Sequence, residues 1–406
     1  MVSTLREEGG GRMVIAGSVR RPDLWKLRPD WGFLRSVPQV LAMMKGGDDS
    51  VLSRVVRFFE AKGLEVRGAH EVAPDLLMER GRLGAVALDS QSRCDAELGF
   101  AVRAALGPLD AGQAVAVANG KVLAIEGAEG TDAMLKRVAA LRADRAGAGP
   151  SGVLAKGPKP GQELRVDMPA IGPRTVELAA EAGLAGIAVE AGAVLLLDRG
   201  EALKAADARG IAIEGLPRAE RRWPGEGLGV GGTPAFEARE YPPPCPSPAR
   251  GEGTLRPLPH STSAFDGRLR LVGRLRPNAR ADADIEKGFT AVACLSPFGA
   301  GQVVVVARAY LLAIAAADSA FAVLERTRAL RQWGVGARRR VGVLTCRAGA
   351  SGCDAAHVAS LLDRAAAAGL VGIAVTGTPE ALAAFEDAGA LADRLGLFLL
   401  TREERP

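Results

Sequence analysis

Aromatic side chains are scarce, at 4% of 406 residues, with four tryptophans and two tyrosines. An all-β sandwich usually spends more aromatic surface, so the 48% apolar content, mostly small and aliphatic, points to α/β layers. No apolar run reaches the length of about 18 residues that a membrane-spanning helix needs. Cysteine pairs at C-x-x-C spacing are absent, and the five cysteines are an odd number in a chain without a signal-peptide pattern. That combination fits reduced thiols in a cytoplasmic protein. Cys346, Cys353 and His357 lie close in sequence but lack a fourth zinc ligand, so they read as ordinary residues and not as a metal site. The net charge of +5 is spread along the chain, with no basic arm of the kind that binds nucleic acid. A mildly basic surface does suit contact with anionic lipid headgroups.

Charge and glycine are instead concentrated in residues 126–175. Glu126-Gly-Ala-Glu-Gly-Thr-Asp132 follows an apolar, strand-like run at Val115–Ile125 and precedes a helix-like segment at Ala133–Leu141. Thr131 or Asp132 is well placed there as a helix N-cap. A second turn, Gly172-Pro173, leads into Thr175–Ala182, with proline where its missing N–H costs nothing. Each helix start, the first at Gly130 and the second at Gly172, offers free N–H groups and a positive dipole end to a phosphate. Lys156, Lys159 and Arg165 lie between them and supply positive charge for the same anion. Glu126, Glu129, Asp132 and Asp167 can hold Mg²⁺ or orient a water. The same carboxylates serve equally well as solvated loop charges or helix caps.

Several multi-residue motifs then occur in order: Glu-Gly-Thr-Asp-Ala-Met (129–134), Lys-Pro-Gly-Gln (159–162), Asp-x-Pro-x-Ile-Gly-Pro (167–173) and Ala-Gly-Ile-Ala-Val-Glu-Ala-Gly (185–192). Ala-Gly-Ser-Val-Arg-Arg-Pro (16–22), Leu-Arg-Pro-Asp (27–30), Gly-Asp-Asp (47–49) and Gly-Ala-His-Glu (68–71) lie upstream. Together they resemble the UDP-2,3-diacylglucosamine diphosphatases of lipid A biosynthesis, of the alphaproteobacterial Mg²⁺-dependent type, over about residues 4–217. The resemblance implies hydrolysis of the pyrophosphate of a UDP-linked acylated glucosamine, in the cytoplasm or peripherally at the inner membrane. It implies Asp167 and Asp132 as catalytic residues, and Asp167 and Glu129 as Mg²⁺ ligands. Gly130, Thr131, Lys156, Lys159, Arg165 and Gly172 would bind substrate phosphate. Members of this family begin earlier, with a strand running into a Gly-Gly-Gly-x-Leu-Pro loop that this sequence does not contain. A nucleotide- or lipid-binding protein with impaired catalysis, or a decayed fusion, is therefore the alternative expectation. His70 is the one histidine in this region, and the resemblance assigns it no clear role.

Four segments follow. Residues 1–80 read as the remnant of a truncated, Rossmann-like N-terminal domain, and 81–216, with alternating strand and helix signals, as the catalytic-type α/β domain. Residues 217–262 are rich in proline and glycine and read as a disordered linker. Residues 263–406 read as a degenerate second copy of the α/β domain. Asp284–Leu330 aligns without gaps on Asp95–Leu141, but Glu126 becomes Ala315, Gly130 becomes Ser319 and Asp132 becomes Phe321. Opposite Lys156 and Asp167 stand Cys346 and Cys353. A framework can survive on apolar periodicity alone, whereas a phosphate site cannot survive without its charges. The copy is thus expected to fold without catalysing, and either to pair with the first domain within the chain or to leave it as a homodimer.

Overall fold

Two six-stranded sheets with one and the same strand order dominate the computed structural model. It describes residues 10–15, 17, 48–143, 149–217, 269–330 and 339–404. Residues 18–47, which carry most of the motif at 16–22 and all of that at 27–30, and the linker from 218 to 262 lie outside the described residues.

The N-terminal part contributes strand β1 (Arg12–Val14), helix α1 (Asp48–Ala61) and strand β2 (Glu65–Arg67), with β1 and β2 paired in parallel. The first large module follows: β3 (Gly81–Leu83), α2 (Ser90–Leu106), β4 (Ala114–Ala118), β5 (Lys121–Ile125), α3 (Thr131–Arg142), β6 (Val153–Lys156), β7 (Ala170–Ile171), α4 (Pro173–Glu181), β8 (Gly186–Glu190), β9 (Leu195–Leu196), α5 (Arg199–Arg209) and β10 (Ala212–Leu216). Its main sheet runs β3-β10-β8-β6-β4-β5. The three central strands β6, β8 and β10 are mutually parallel; β3 pairs antiparallel with β10, β4 with β6, and β5 antiparallel with β4 at the edge.

Strand β4 shows how sequence sets the layers. Successive strand side chains point to opposite faces, and Ala-Val-Ala-Val-Ala sends Ala114, Ala116 and Ala118 to the core under α3, α4 and α5. Val115 and Val117 go to the opposite face, with Val102 and Leu106 of α2. Helix α2 was not legible as an element, although its signals are ordinary ones. Asp89 caps it by accepting from the Ser92 N–H at 2.7 Å, and that bond holds its carboxyl below the usual range. Ala96, Gly99, Val102 and Leu106 form its buried stripe. Gly99 is required there, because a Cβ would sit 2.5 Å from the Ala155 Cβ in β6.

The second module repeats the plan as β11 (Arg270–Leu271), α6 (Ala279–Leu295), β12 (Val303–Ala307), β13 (Tyr310–Ile314), α7 (Ala320–Leu330), β14 (Val343–Arg347), α8 (Val358–Ala367), β15 (Gly372–Gly377), α9 (Pro379–Glu386), α10 (Gly389–Arg394) and β16 (Phe398–Glu403). The sheet order β11-β16-β15-β14-β12-β13 has the same pattern of parallel and antiparallel pairs. Local detail is repeated too. A register shift falls at Ala116/Val117 in one hairpin and at Val305/Val306 in the other. A buried aspartate accepts two N–H bonds from each hairpin turn, Asp95 from Asn119 and Gly120, and Asp284 from Arg308 and Ala309. The mixed α/β class, with two like sheet-containing regions, follows from these pairings.

The modules, each with a core of its own, also share an apolar layer between them. Leu106, Val115, Val117 and Ile125 of the first pack in a single apolar cluster with Leu295, Val304, Val306 and Ile314 of the second. Among the described residues no helix is long and apolar enough to cross a membrane. Cys294, Cys346 and Cys353 are free thiols.

Candidate active site

Lys156 is the last residue of β6, where a parallel strand delivers its side chain to the C-terminal end of the sheet, the edge that α/β folds use for ligands. Only 7% of it is exposed. Its ammonium donates to the Thr131 hydroxyl at 2.9 Å and to the Ala170 carbonyl at 2.9 Å. The Thr131 hydroxyl in turn donates to the Glu126 carboxylate at 3.1 Å. Glu126 has its other oxygen, Oε2, buried without a hydrogen-bond partner among the described residues. Burial pushes the Glu126 carboxyl up, against the opposing pull of Lys156 and Thr131. Burial likewise pushes the Lys156 ammonium down, against the opposing pull of Glu126 and Asp132. The result is a buried chain of Glu126, Thr131 and Lys156 that begins at the first turn of α3.

That first turn differs from the expected capping. Gly130 is the N-cap, at φ +82°, and no side chain caps the helix. Thr131 cannot serve because its hydroxyl is committed to Glu126 and Lys156. The uncapped N–H groups of α3 are therefore left to solvent or a ligand. Asp132 lies half-exposed and pairs with Arg174 of α4 at 2.6 Å. This bond and the Lys156–Ala170 contact bring the N-terminal ends of α3 and α4 together. Gly172 caps α4 with extended backbone, its N–H reaching the Thr175 hydroxyl at 3.3 Å, and Pro173 opens the helix as expected.

Asp167 comes from the loop between β6 and β7. Gln162 fixes it, donating from Nε2 to the Asp167 carbonyl and to its Oδ2, each at 2.6 Å. Gln162 is itself 7% exposed and accepts from the Lys159 N–H at 2.8 Å, so the loop is tied at both ends. Arg103 of α2 braces it from behind, donating to the Pro158 carbonyl at 2.7 Å and pairing with Glu190 at 2.8 Å. Gly157 permits that close approach, since a Cβ there would lie 2.8 Å from the guanidinium nitrogens.

Three expected residues are committed to other partners. Glu129 is engaged at both oxygens: Oε1 pairs with Arg137 at 2.6 Å, and Oε2 accepts from the Gly127 N–H at 3.1 Å. Lys159 pairs with Asp110 at 2.7 Å, and Arg165 pairs with Glu163 and Glu60, each at 2.7 Å. His70 folds its ring over Gly68, where an added Cβ would meet it, and its Nδ1 is buried and unpartnered among the described residues. Arg103, Gln162 and Arg174 were not singled out in the sequence. A lone arginine on the buried stripe of α2 was the signal available for Arg103.

The second module has lost this chemistry at matching positions. Lys156 lies opposite Ala114 across the β4–β6 ladder, and Cys346 lies opposite Val303 across β12–β14. Cys346 and Cys353 are fully buried, and their contact, together with burial, pushes the Cys353 thiol well up. Phe321, in place of Asp132, packs on His357 and under the Arg364 guanidinium. His357 bonds Asp354 and not the cysteines. Among the described residues no three His, Cys, Asp or Glu side chains gather as a metal cage.

Residues 1–76 match the family model for the LpxI N-terminal domain, and residues 79–214 match that for the LpxI C-terminal domain. A protein of Caulobacter vibrioides, the UDP-2,3-diacylglucosamine pyrophosphatase LpxI, is 45% identical over 223 residues, which are 53% of this chain and 78% of that protein.

Proposed function

This chain belongs to the LpxI family, and we propose on that footing that it hydrolyses the pyrophosphate of UDP-2,3-diacylglucosamine to 2,3-diacylglucosamine 1-phosphate and UMP, a step of lipid A biosynthesis. The observation that carries the reading is Lys156. A buried ammonium, fixed by Thr131 and Ala170 between two helix N-termini, is a preorganised seat for a phosphate group. Gly130 and Gly172 leave the helix ends open to that group, and Thr131 holds the ammonium in line. In the first step the pyrophosphate lies against Lys156 and the first N–H groups of α3. Asp167, oriented by Gln162, takes the proton of the attacking water as the new P–O bond forms. The P–O–P bond breaks, and the charge left on the departing phosphate faces the same cation. Asp132 and Arg174 close the rim.

Magnesium usually takes one or two carboxylates and completes its shell with water and substrate oxygens. Asp167 suits that part, with Oδ2 held and Oδ1 carrying no hydrogen bond among the described residues. Glu129 does not suit it, because both its oxygens are already engaged. When bound, the ion would offset charge on the phosphate oxygens. Because the substrate carries two acyl chains, we place the working protein in the cytoplasm, at the inner-membrane surface.

The test is Mg²⁺-dependent UMP release from UDP-2,3-diacylglucosamine, comparing the natural chain with Asp167→Asn. The substitution is expected to lower turnover by a factor on the order of 10²–10⁴, the usual range for loss of a general base, while leaving the thermal melt unchanged. Equal turnover in both proteins would remove Asp167 from the mechanism.

A further inference from the structure

The contact between the modules is built from equivalent positions, related by a constant shift along the chain. The Ala128 N–H donates to the Leu312 carbonyl at 3.1 Å, and the Ala317 N–H donates to the Leu123 carbonyl at 3.3 Å. Ala317 is the counterpart of Ala128, and Leu312 of Leu123, so the two bonds are mirror statements of one rule. The charges repeat it. Arg137 pairs with Glu129 at 2.6 Å and reaches Asp318 at 3.8 Å, while Arg326 pairs with Asp318 at 2.7 Å and reaches Glu129 at 3.8 Å. Each arginine also donates to the last carbonyl of its own edge strand, Ile125 or Ile314. The four charges sum to zero and are nearly buried, the carboxylates to 5% and 2% exposure. In the apolar layer Val117 is answered by Val306, and Ile125 by Ile314.

A surface on which position i meets j and j meets i is the isologous interface of a twofold dimer. Here Leu312, Ala317, Arg326, Val306 and Ile314 are the same as their counterparts, and Asp318 is a close substitute for Glu129. The first module's face is therefore complementary to itself as well as to the second module. We propose that this face, formed by β5, residues 126–130 and Arg137, is a self-association surface whose natural partner is another copy of the same module, and that the second module occupies it in that copy's place. The inference is independent of the catalytic reading. It gives the second module a role that needs none of the lost charges.

The test uses the full chain and its mass in solution by sedimentation velocity. The natural protein is expected at the mass of one chain. Asp318→Arg combined with Arg326→Glu keeps the pair inside the second module but sets like charges across the contact. The first module is then released to pair with that of another chain, and the mass is expected to double. Adding Glu129→Arg and Arg137→Glu restores opposite charges across the contact, and the mass should return to one chain. A two-chain natural protein overturns the proposal. So does a second-module swap that stays at one-chain mass with an unchanged melt. If that swap aggregates, the fourfold variant decides: recovery of a folded single chain supports the surface, and continued aggregation overturns it.

Discussion

Lys156→Met is expected to cut UMP release by a factor on the order of 10²–10³, the effect of removing one preorganised charge-stabilising donor. It is also expected to destabilise the fold. Glu126 would remain buried at 9% exposure without its compensating cation, and breaking a buried pair costs about 3–5 kcal/mol. The loss should fall toward the lower end of that range, because a carboxyl already pushed up by burial takes a proton instead of staying charged. Adding Glu126→Gln separates the two effects. The double variant should recover the melting temperature, since an amide can still accept from Thr131, but it should not recover turnover. Thermal melts and UMP release on the three variants decide it. A Lys156→Met protein with natural turnover would disprove the phosphate seat.

Arg103→Met should be nearly as damaging although Arg103 touches no substrate. At 4% exposure the guanidinium bonds Glu190 and the Pro158 carbonyl, and stacks near Phe100. Methionine leaves the Glu190 carboxylate facing an apolar side chain, at a cost of about 3–5 kcal/mol. It also frees the loop from Gly157 to Gln162, and with it the grip of Gln162 on Asp167. Turnover measured well below the melting transition is therefore expected to fall more than the folded fraction does. Arg103→Lys should restore charge but not the loop, because an ammonium lacks the planar fork that reaches two acceptors on different elements. Full rescue by lysine would reduce Arg103 to a simple counter-ion.

Much of this was legible beforehand, for reasons that differ by residue. Strands such as Ala114–Ala118 and helices such as Pro173–Glu181 announce themselves by period and by capping chemistry. The seat around Lys156 was legible as charges between two helix starts, because glycine and proline mark such turns locally. The fates of Glu129, Lys159 and Arg165 were not. Each finds its partner through space, and Glu129 lies within reach of a residue almost two hundred positions away. Thr131 was misread as a cap because a hydroxyl at a helix start usually serves the backbone, and only the fold brings Lys156 to compete for it. Helix Ser90–Leu106 was missed because its buried stripe contains glycine and arginine, residues that dilute an apolar signal.

The contact between the two modules joins parts of a single chain, and this changes how it answers to dilution. Two separate copies holding the same face together would come apart as their concentration fell below the dissociation constant. Tethered partners instead experience an effective concentration fixed by the connection, on the order of millimolar for short flexible tethers. The buried edge of β5, and the α3 helix that leads from it to Lys156, therefore stay covered however few molecules a cell contains. The activity per molecule of this protein should accordingly be the same at nanomolar as at micromolar concentration.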